Sequence, residues 1–515
     1  MKKSIIYLAI GLLTVASFTA CKKSPAPTPI ASGPSPNDPG TALDRVKDSV
    51  YLFTQEDNLW YNTLPTYANF KPRSFTGKTD QAALQSEVDA LSQYSTNPTT
   101  GKPYEYETDP RYAGTAKYSF IDQGQVATSL GGTNGDYGFS VIYNYNSTTD
   151  LRIKYVYPGS PADKAGLVRG YQIVSITGVP SLTYTGASGT NYDALVSAIF
   201  NSSTITMTVQ KPDNTTFNTT LNTANYTVNP VLKSKVLDLG NGKKIGYIVF
   251  NSFTVLTNAQ ANLDAAFTSF TAAGVTDLVV DLRYNGGGSV ETAMYLSNLI
   301  VPSAKTNTPM FTYYYNDKLQ NDKYPLLAKK LGIDVSKYPG EFKPANNQEV
   351  FSKKGSLNMS RVFFIVSGNT ASASELTINN LIPELNVQLI GTTTYGKPVG
   401  FFAIPIGAYQ YYTPEFETKN SASQGGYYAG MTPGSATYPG VQASDDVTHD
   451  FGDVNEALFA RAISYTTKGT YSVPNLAVQS TGSGSNRLSE EQLNRVSHDL
   501  SPRSELKQMI YKFKK

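Results

Sequence analysis

Residues 362–376 read Val-Phe-Phe-Ile-Val-Ser-Gly-Asn-Thr-Ala-Ser-Ala-Ser-Glu-Leu. The five apolar residues at the start predict a buried strand, and residues 376–381 predict a helix. Ser372 therefore falls where a strand turns into a helix N-terminus. Free backbone N–H groups and the positive end of the helix dipole at such a turn favour an attacking hydroxyl and the oxyanion it makes. From this turn alone, a helix N-cap serine is the competing interpretation.

A second turn contains a lone lysine. Residues 391–397 read Gly-Thr-Thr-Thr-Tyr-Gly-Lys and follow another apolar run, residues 387–390. A lysine acts as a general base only when it is neutral, and lowering its usual pKa of about 10.4 by roughly 3 needs on the order of 4 kcal/mol. Burial supplies such a shift readily. A solvated turn lysine is the alternative for Lys397, and the chain has only two histidines, His449 and His498, for a Ser–His–Asp triad.

A third stretch carries three glycines. Residues 278–288 read Leu-Val-Val-Asp-Leu-Arg-Tyr-Asn-Gly-Gly-Gly, an apolar strand followed by a glycine run. Glycine lets the backbone pass close to a reacting atom and point its N–H groups inward. A phosphate-cradling loop is disfavoured, because no Gly-Lys-Ser/Thr follows the glycines.

Together the three stretches resemble the catalytic signature of the S41-type C-terminal processing peptidases, tail-specific serine proteases with a Ser–Lys dyad. The resemblance implies an α/β fold with a ClpP/crotonase-like spiral core, and a peptidase that cleaves polypeptides near C-terminal or unstructured regions without a metal or organic cofactor. One departure is Phe401, which stands where many relatives have a glutamine. By position, the resemblance implies Ser372 as nucleophile, Lys397 as general base, Gly287 (or Gly286) and Ala373 as oxyanion-hole amides, and Asp281, Arg283 and Glu375 as a supporting ionic scaffold.

An upstream segment carries a second signature. Residues 156–179 contain, in this order, an apolar strand, the sequence Pro-Gly-Ser-Pro-Ala, a short helical pattern and another strand. This order resembles a bacterial PDZ domain. PDZ domains capture an extended peptide end by strand addition. The resemblance implies that peptide binds at Gly138, Phe139, Ser140 and Val141, where Ser140 replaces the family's second glycine. A purely structural spacer is the alternative.

The N-terminus predicts export. Lys2 and Lys3 precede an apolar stretch, residues 5–15, that is short for a membrane span. The stretch ends near Cys21, the single cysteine, in a sequence that resembles a bacterial lipobox with Phe18 in place of the usual leucine. It implies a lipid-anchored protein of the cell envelope, facing the periplasm of a Gram-negative bacterium; a reactive free thiol is the alternative for Cys21.

These features divide the chain into six segments. Net charge is only +3 with 16% charged residues, so the composition gives no case for nucleic-acid binding, and the partners expected are polypeptides and, through the anchor, a membrane. The predicted boundaries are a signal peptide at 1–20, a Pro-rich tether at 21–40, a small helical region at 41–130, the PDZ-like domain at 134–223, the peptidase domain at 232–470 and a polar tail at 471–515 that ends in a short basic helix.

Three alternatives stay open. The carboxylates of residues 445–453 with His449 offer a metal site or a triad base, although a turn that caps the following helix is favoured. Phe401 and Ser140 allow a peptide-binding lipoprotein that keeps the peptidase fold but has little or no activity. An acyl-CoA-type crotonase would fit the fold but neither the PDZ-like segment nor the export signal.

Overall fold

The computed structural model describes residues 39–144, 147–186, 189–473, Leu500 and 508–511 of the 515-residue chain. Cys21, the export signal and His498 lie outside these residues. Among the helices in the described ranges, none is both long enough and apolar enough to cross a membrane.

The N-terminal region is built mainly from helices. Thr41 caps its first helix, where the hydroxyl accepts from the Asp44 amide and the Asp44 carboxylate accepts from the Thr41 amide. Val50 and Phe53 of this helix are fully buried in the main apolar core. The elements are α1 (Ala42–Asp57), α2 (Tyr67–Phe70), α3 (Asp80–Ser92), β1 (Phe120–Asp122) and α4 (Gln125–Leu130).

The next unit is a five-stranded antiparallel sheet with its own apolar core. The strands lie in the order β3-β4-β5-β6-β7, and β2 pairs separately with β8. Along β6 the burial alternates, as a strand with one solvated face requires. The elements are β2 (Thr133–Asp136), β3 (Phe139–Tyr143), β4 (Leu151–Val156), α5 (Pro161–Lys164), β5 (Gln172–Ile176), α6 (Thr190–Val196), β6 (Thr204–Gln210), β7 (Thr216–Asn222) and β8 (Ala224–Thr227).

The remaining elements form an α/β domain. They are β9 (Val231–Asp238), β10 (Lys244–Phe250), α7 (Leu256–Ala273), β11 (Asp277–Asp281), β12 (Gly287–Ser289), α8 (Val290–Ile300), β13 (Pro309–Tyr315), α9 (Asp317–Gln320), α10 (Pro325–Leu331), β14 (Gln348–Val350), β15 (Arg361–Val366), α11 (Ala373–Leu381), β16 (Asn386–Gly391), β17 (Val399–Gly400), β18 (Ile404–Ile406), β19 (Tyr409–Tyr412), β20 (Phe416–Asn420), β21 (Gly440–Gln442), α12 (Ala457–Lys468) and β22 (Gln508–Ile510). Within the described ranges, 3₁₀ turns lie at Tyr61–Thr63, Pro72–Ser74, Pro110–Tyr112, Ser303–Lys305 and Pro344–Asn346, and a π-helical turn lies at Ser197–Asn201.

A six-stranded sheet is the centre of this domain. Its order is β21-β16-β15-β11-β10-β9, with every neighbouring pair parallel except β10 and β9. Phe364 of β15 faces the main core with α7, α8 and α11, whereas Phe363 faces a second core with α12. Strands buried on both faces have near-continuous apolar sequences, which is why residues 362–366 contain no polar residue.

The segment near residue 510 differs from the sequence-based expectation. A short basic helix was expected at the end of the tail, but Gln508–Ile510 is a strand that pairs in parallel with Gly287–Ser289. A strand partner offers backbone hydrogen bonds that a local charge pattern cannot reveal.

Candidate active site

Ser372 stands at the turn between β15 and α11, at the carboxyl end of a parallel strand. The residue is fully buried, and its backbone has φ 63° and ψ −111°, a region that non-glycine residues occupy at a cost of about 1–3 kcal/mol. Its Oγ has no hydrogen-bond partner among the described residues, Lys397 included. The Ser372 hydroxyl is thus held in a buried position on a strained backbone.

Glu375 joins the Ser372 turn to the Lys397 turn. Its Oε2 accepts from the amides of Ser372 (2.8 Å) and Lys397 (2.9 Å). Its Oε1 accepts from the Gly396 amide (2.7 Å) and the Thr394 hydroxyl (2.6 Å). Burial raises the pKa of Glu375, and these four donors oppose that rise. One carboxylate therefore fixes the relative position of the two turns.

The Lys397 side chain is buried against aromatic rings. Its Nζ lies 3.9 Å from the centre of the Phe401 ring and 5.8 Å from that of Tyr118, and the residue is 1% exposed. The Tyr118 hydroxyl donates to the Gly396 carbonyl at 2.6 Å. Phe401, the departure from the family pattern, thus forms one wall around the amine.

Two buried carboxylates complete the surroundings of Lys397. Glu105 accepts from the amides of Tyr118 and Ser119 at 2.8 Å each, and Glu415 accepts from the Phe402 amide at 3.1 Å. Burial raises the pKa of both carboxyls, and the positive charge of Lys397 acts against that rise. These two carboxyl groups and the amine therefore interact electrostatically.

The backbone N–H and C=O groups of the glycine strand β12 point in two directions. The Gly287 amide donates to Asn285 Oδ1 at 2.9 Å, and the Gly287 carbonyl accepts from the Phe253 amide at 3.0 Å. In a trans peptide the N–H and C=O point in opposite directions, so the Gly288 amide faces away from Phe253. A Cβ on Gly288 would stand 2.1 Å from the Phe253 carbonyl oxygen, so only glycine fits there.

The Ala373 amide is the other predicted oxyanion donor. Ala373 is the first residue of α11, and the first N–H groups of a helix have no intrahelical acceptor. The Asn285 carbonyl accepts from the Ala371 amide and the Ser374 hydroxyl, which ties the start of this helix to the glycine segment.

Asp281 and Arg283 belong to a buried ionic cluster, which we call the Arg283 cluster: Arg169, Asp281, Arg283, Tyr284, Asp445 and Glu456. Arg283 binds Asp281 at 2.6 Å, Asp445 at 2.6 Å and Glu456 at 2.9 Å. Arg169, from the five-stranded unit, binds the same Asp445 at 2.8 Å. Burial alone would raise the pKa of Asp445, but the two guanidinium groups hold it below its usual range.

The predicted peptide-binding residues lie at the start of β3. Gly138 has φ 81°, and a Cβ there would meet the Ser160 Cβ at 2.0 Å. Phe139 and Val141 are in the apolar core of the five-stranded unit. The Ser140 Oγ is buried and has no hydrogen-bond partner among the described residues.

His449 lies beside the Arg283 cluster, where its carbonyl accepts from Arg169 Nε at 3.1 Å. Its Nδ1 lies 2.7 Å from Asp446 Oδ2 and 3.1 Å from the Thr448 hydroxyl, both in its own loop. No group of three or more His, Cys, Asp or Glu residues in the described part of the chain is placed to hold a metal ion.

Part of the chain matches a known protein family. Residues 244–415, which include Ser372, Lys397 and the glycine segment, match the sequence model of Peptidase family S41. This segment is similar in sequence to the S41 peptidases. The rest of the chain lies outside that match.

Two curated proteins similar to this chain are C-terminal processing proteases. The chain is 27% identical over 275 residues to a carboxyl-terminal-processing protease of Picosynechococcus sp., a match that covers 53% of this chain and 57% of the relative. It is 26% identical over 239 residues to the carboxy-terminal processing protease CtpA of Bacillus subtilis, covering 46% of this chain and 42% of the relative. The chain thus spans about half the length of these relatives.

A solved structure confirms the predicted α/β fold. A Bacteroides fragilis protein described as an S41 protease aligns over 85% of this chain and 99% of its own, with a TM-score of 0.54 and 24% identity. At that identity the likeness concerns the fold alone.

Sequence reasoning did not identify several residues of this site. Tyr118 lies near the Lys397 amine, and Glu105 and Glu415 interact with it electrostatically; all three come from segments without a recognisable motif, so no sequence signal pointed to them. Asn285 lies within the quoted glycine stretch, and its place directly before the glycines was an available signal.

Proposed function

We propose that the chain is a serine-type peptidase that cleaves polypeptides near C-terminal or unstructured regions through a Ser–Lys dyad. One observation carries the proposal: the amides of Ser372 and Lys397 share a single oxygen of the buried Glu375 carboxylate. Such a clamp is what a nucleophile and a base on separate turns need, because catalysis requires both to be held in a fixed geometry.

The chemistry follows from the roles of these groups. Neutral Lys397 takes the proton of the Ser372 hydroxyl as Oγ attacks the peptide carbonyl carbon, and the carbonyl oxygen becomes an oxyanion. When the tetrahedral intermediate collapses, the C–N bond breaks and Lys397 returns the proton to the leaving amine. Water then attacks the acyl-enzyme by the same route, which releases the acid product and restores Ser372.

Backbone amides hold the oxyanion in this scheme. The Ala373 amide is one donor, and the glycine segment supplies the other. Gly287 fills that role when its amide leaves Asn285 Oδ1, to which it donates in the structure described. The scaffold residues Asp281, Arg283 and Glu375 do not react, since their charges are bound to neighbouring groups.

The proposal extends to the rest of the chain. The five-stranded unit acts as a PDZ-like domain that binds a peptide at Gly138, Phe139, Ser140 and Val141, and the helical region packs beneath Lys397. Acylation at Cys21 anchors the protein in the cell envelope on the periplasmic side, with a ClpP/crotonase-like core as its catalytic part.

A second candidate is a peptide-binding lipoprotein with little or no activity. Phe401 in place of the family glutamine and the missing hydrogen bond at Ser372 Oγ favour it. Covalent labelling of Ser372 by a fluorophosphonate probe would support the enzyme, whereas peptide binding without labelling would support the binder.

Variants of the two reacting residues test the proposal. We expect Ser372→Ala to lower the cleavage rate of a loosely folded protein by at least about 10³-fold, and Lys397→Met by about 10²–10⁴-fold. Lys353→Met is the matched control: burial lowers the pKa of Lys353 to about 8, and its amine donates to the Leu299 carbonyl outside the site. Full activity in Ser372→Ala would contradict the proposal, and loss only in His449→Ala would favour a triad.

A further inference from the structure

Strand β22 of this chain lies between the glycine strand and the turn that follows Lys397. On one side Met509 is in register with Gly288, whose amide faces β22. On the other side the Phe401 amide donates to the Met509 carbonyl at 2.9 Å, and the Tyr511 amide donates to the Phe401 carbonyl at 2.8 Å. Residues 508–511 therefore form backbone pairs on both edges with segments that flank the dyad.

The side chains of this strand alternate between two apolar pockets. Met509 is fully buried in the main core, and the Tyr511 ring lies 5.1 Å from the Tyr313 ring. Ile510 points the other way, into a cluster that includes Tyr118 and Phe401, the rings next to the Lys397 amine. Alternating pockets along a two-edged groove are the usual arrangement for recognising an extended peptide.

Leu500 gives the same segment a second attachment. It is fully buried in the core of the five-stranded unit, together with Phe139 and Val141 of the predicted peptide-binding strand. Leu500 thus contacts the unit expected to bind peptides, and β22 contacts the catalytic domain.

We propose that the groove between Gly288 and Phe401 binds the polypeptide substrate, and that residues 508–511 of this chain occupy it as an internal competitor. This inference rests on the proposed peptidase function and names the substrate class: an extended segment with apolar side chains at successive positions, like Met509, Ile510 and Tyr511. An external polypeptide binds only after this strand has left.

Competition by the internal strand should change the measured affinity for an external peptide. If the strand fills the groove in a fraction of molecules, the apparent dissociation constant of an external peptide rises by the inverse of the open fraction. An internal strand present in about nine molecules of ten would weaken binding about tenfold.

Peptide binding in a Ser372→Ala background tests the proposal without catalysis. The probe is a fluorescein-labelled peptide that copies residues 506–515, and its affinity is measured by anisotropy. Met509→Asp puts a charge into a fully buried site and should expel the strand, so we expect the probe to bind about tenfold more tightly to this variant. Ile510→Asp should act in the same direction and serves as a second variant should the first fold poorly.

Tyr338→Asp is the matched control, since Tyr338 is an aromatic residue that is 48% exposed. Equal affinity in the control and both strand variants, or no binding to any of them, would overturn the proposal. In the Ser372 form, faster cleavage of an unstructured protein by Met509→Asp would agree with it. Tighter probe binding without any cleavage would reject the peptidase function alone, and cleavage without a change in probe binding would reject the competing strand alone.

Discussion

The Glu375 carboxylate and the Arg283 cluster are both buried polar sites, but they connect different parts of the molecule. Glu375 accepts only from uncharged donors, three amides and one hydroxyl, and connects two turns of the catalytic domain. The Arg283 cluster pairs full charges and joins three distant segments, one of them from the five-stranded unit.

This difference determines how each site responds to change. Two guanidinium groups share Asp445, so removing that charge takes a charged partner from buried Arg169 and leaves buried Arg283 with Asp281 and Glu456. Around Glu375, a change breaks hydrogen bonds but leaves no unpaired cation. We therefore expect the ionic cluster to control stability and its pH dependence, and Glu375 to control the relative position of the proposed dyad residues, Ser372 and Lys397.

Asp445→Asn should have the largest effect on stability. We expect the free energy of unfolding at pH 7 to fall by about 3 kcal/mol, because Arg169 and Arg283 lose a charged partner. The folded-state pKa of Asp445 is lowered, so its contribution is present above the unfolded pKa of about 3.9 and is lost as pH falls towards the folded value. The gap between wild type and variant, measured by urea denaturation, should therefore narrow below pH ~4.

The exposed Asp193 provides the control for this change. Asp193→Asn should alter stability by no more than about 0.5 kcal/mol. A gap between wild type and Asp445→Asn that stays constant from pH 7 to pH 3 would contradict the ionic role of Asp445.

Glu375→Gln should have the next largest effect. Each Glu375 oxygen accepts two donors, and the amide nitrogen of glutamine accepts none, so two buried donors lose their acceptor. We expect a loss of about 2 kcal/mol in unfolding free energy. Because the turns of Ser372 and Lys397 then separate, fluorophosphonate labelling of Ser372 should slow as well.

Glu291→Gln makes the same chemical change at an exposed position of α8 and should leave labelling unchanged. Normal labelling in folded Glu375→Gln would mean that the dyad does not depend on this clamp.

The contrast also explains what could be predicted from the sequence. The strand, turn and helix around Ser372 are encoded locally, in an apolar run followed by small residues, so both the elements and the strand-to-helix turn were predictable. Glu375 was identified as scaffold, but its acceptance of amides from the Lys397 turn depends on tertiary folding.

Long-range contacts were the part that could not be predicted. Arg169 and Asp445 meet across two folding units, and no periodicity relates positions so far apart in the chain. Gln508–Ile510 was expected near a basic helix, because its neighbours are charged, yet the available backbone edge of Gly287–Ser289 makes it a strand.

Ser372→Gly should have the smallest effect on stability, and it should be stabilising relative to Ser372→Ala. Ser372 adopts φ 63°, which glycine tolerates without strain, so we expect the glycine variant to be more stable than Ser372→Ala by about 1 kcal/mol while both lack the nucleophile. Asn241, at φ 52° in an exposed turn, is the control, and Asn241→Gly should change stability by only a few tenths of a kcal/mol, because asparagine tolerates this conformation better. Equal stability of the glycine and alanine variants of Ser372, measured by thermal and urea unfolding, would show that the turn stores no strain. Greater stability of the glycine variant would show that the strain is retained for the position of the hydroxyl. The rest of the turn is held by the bonds to Glu375 in either variant.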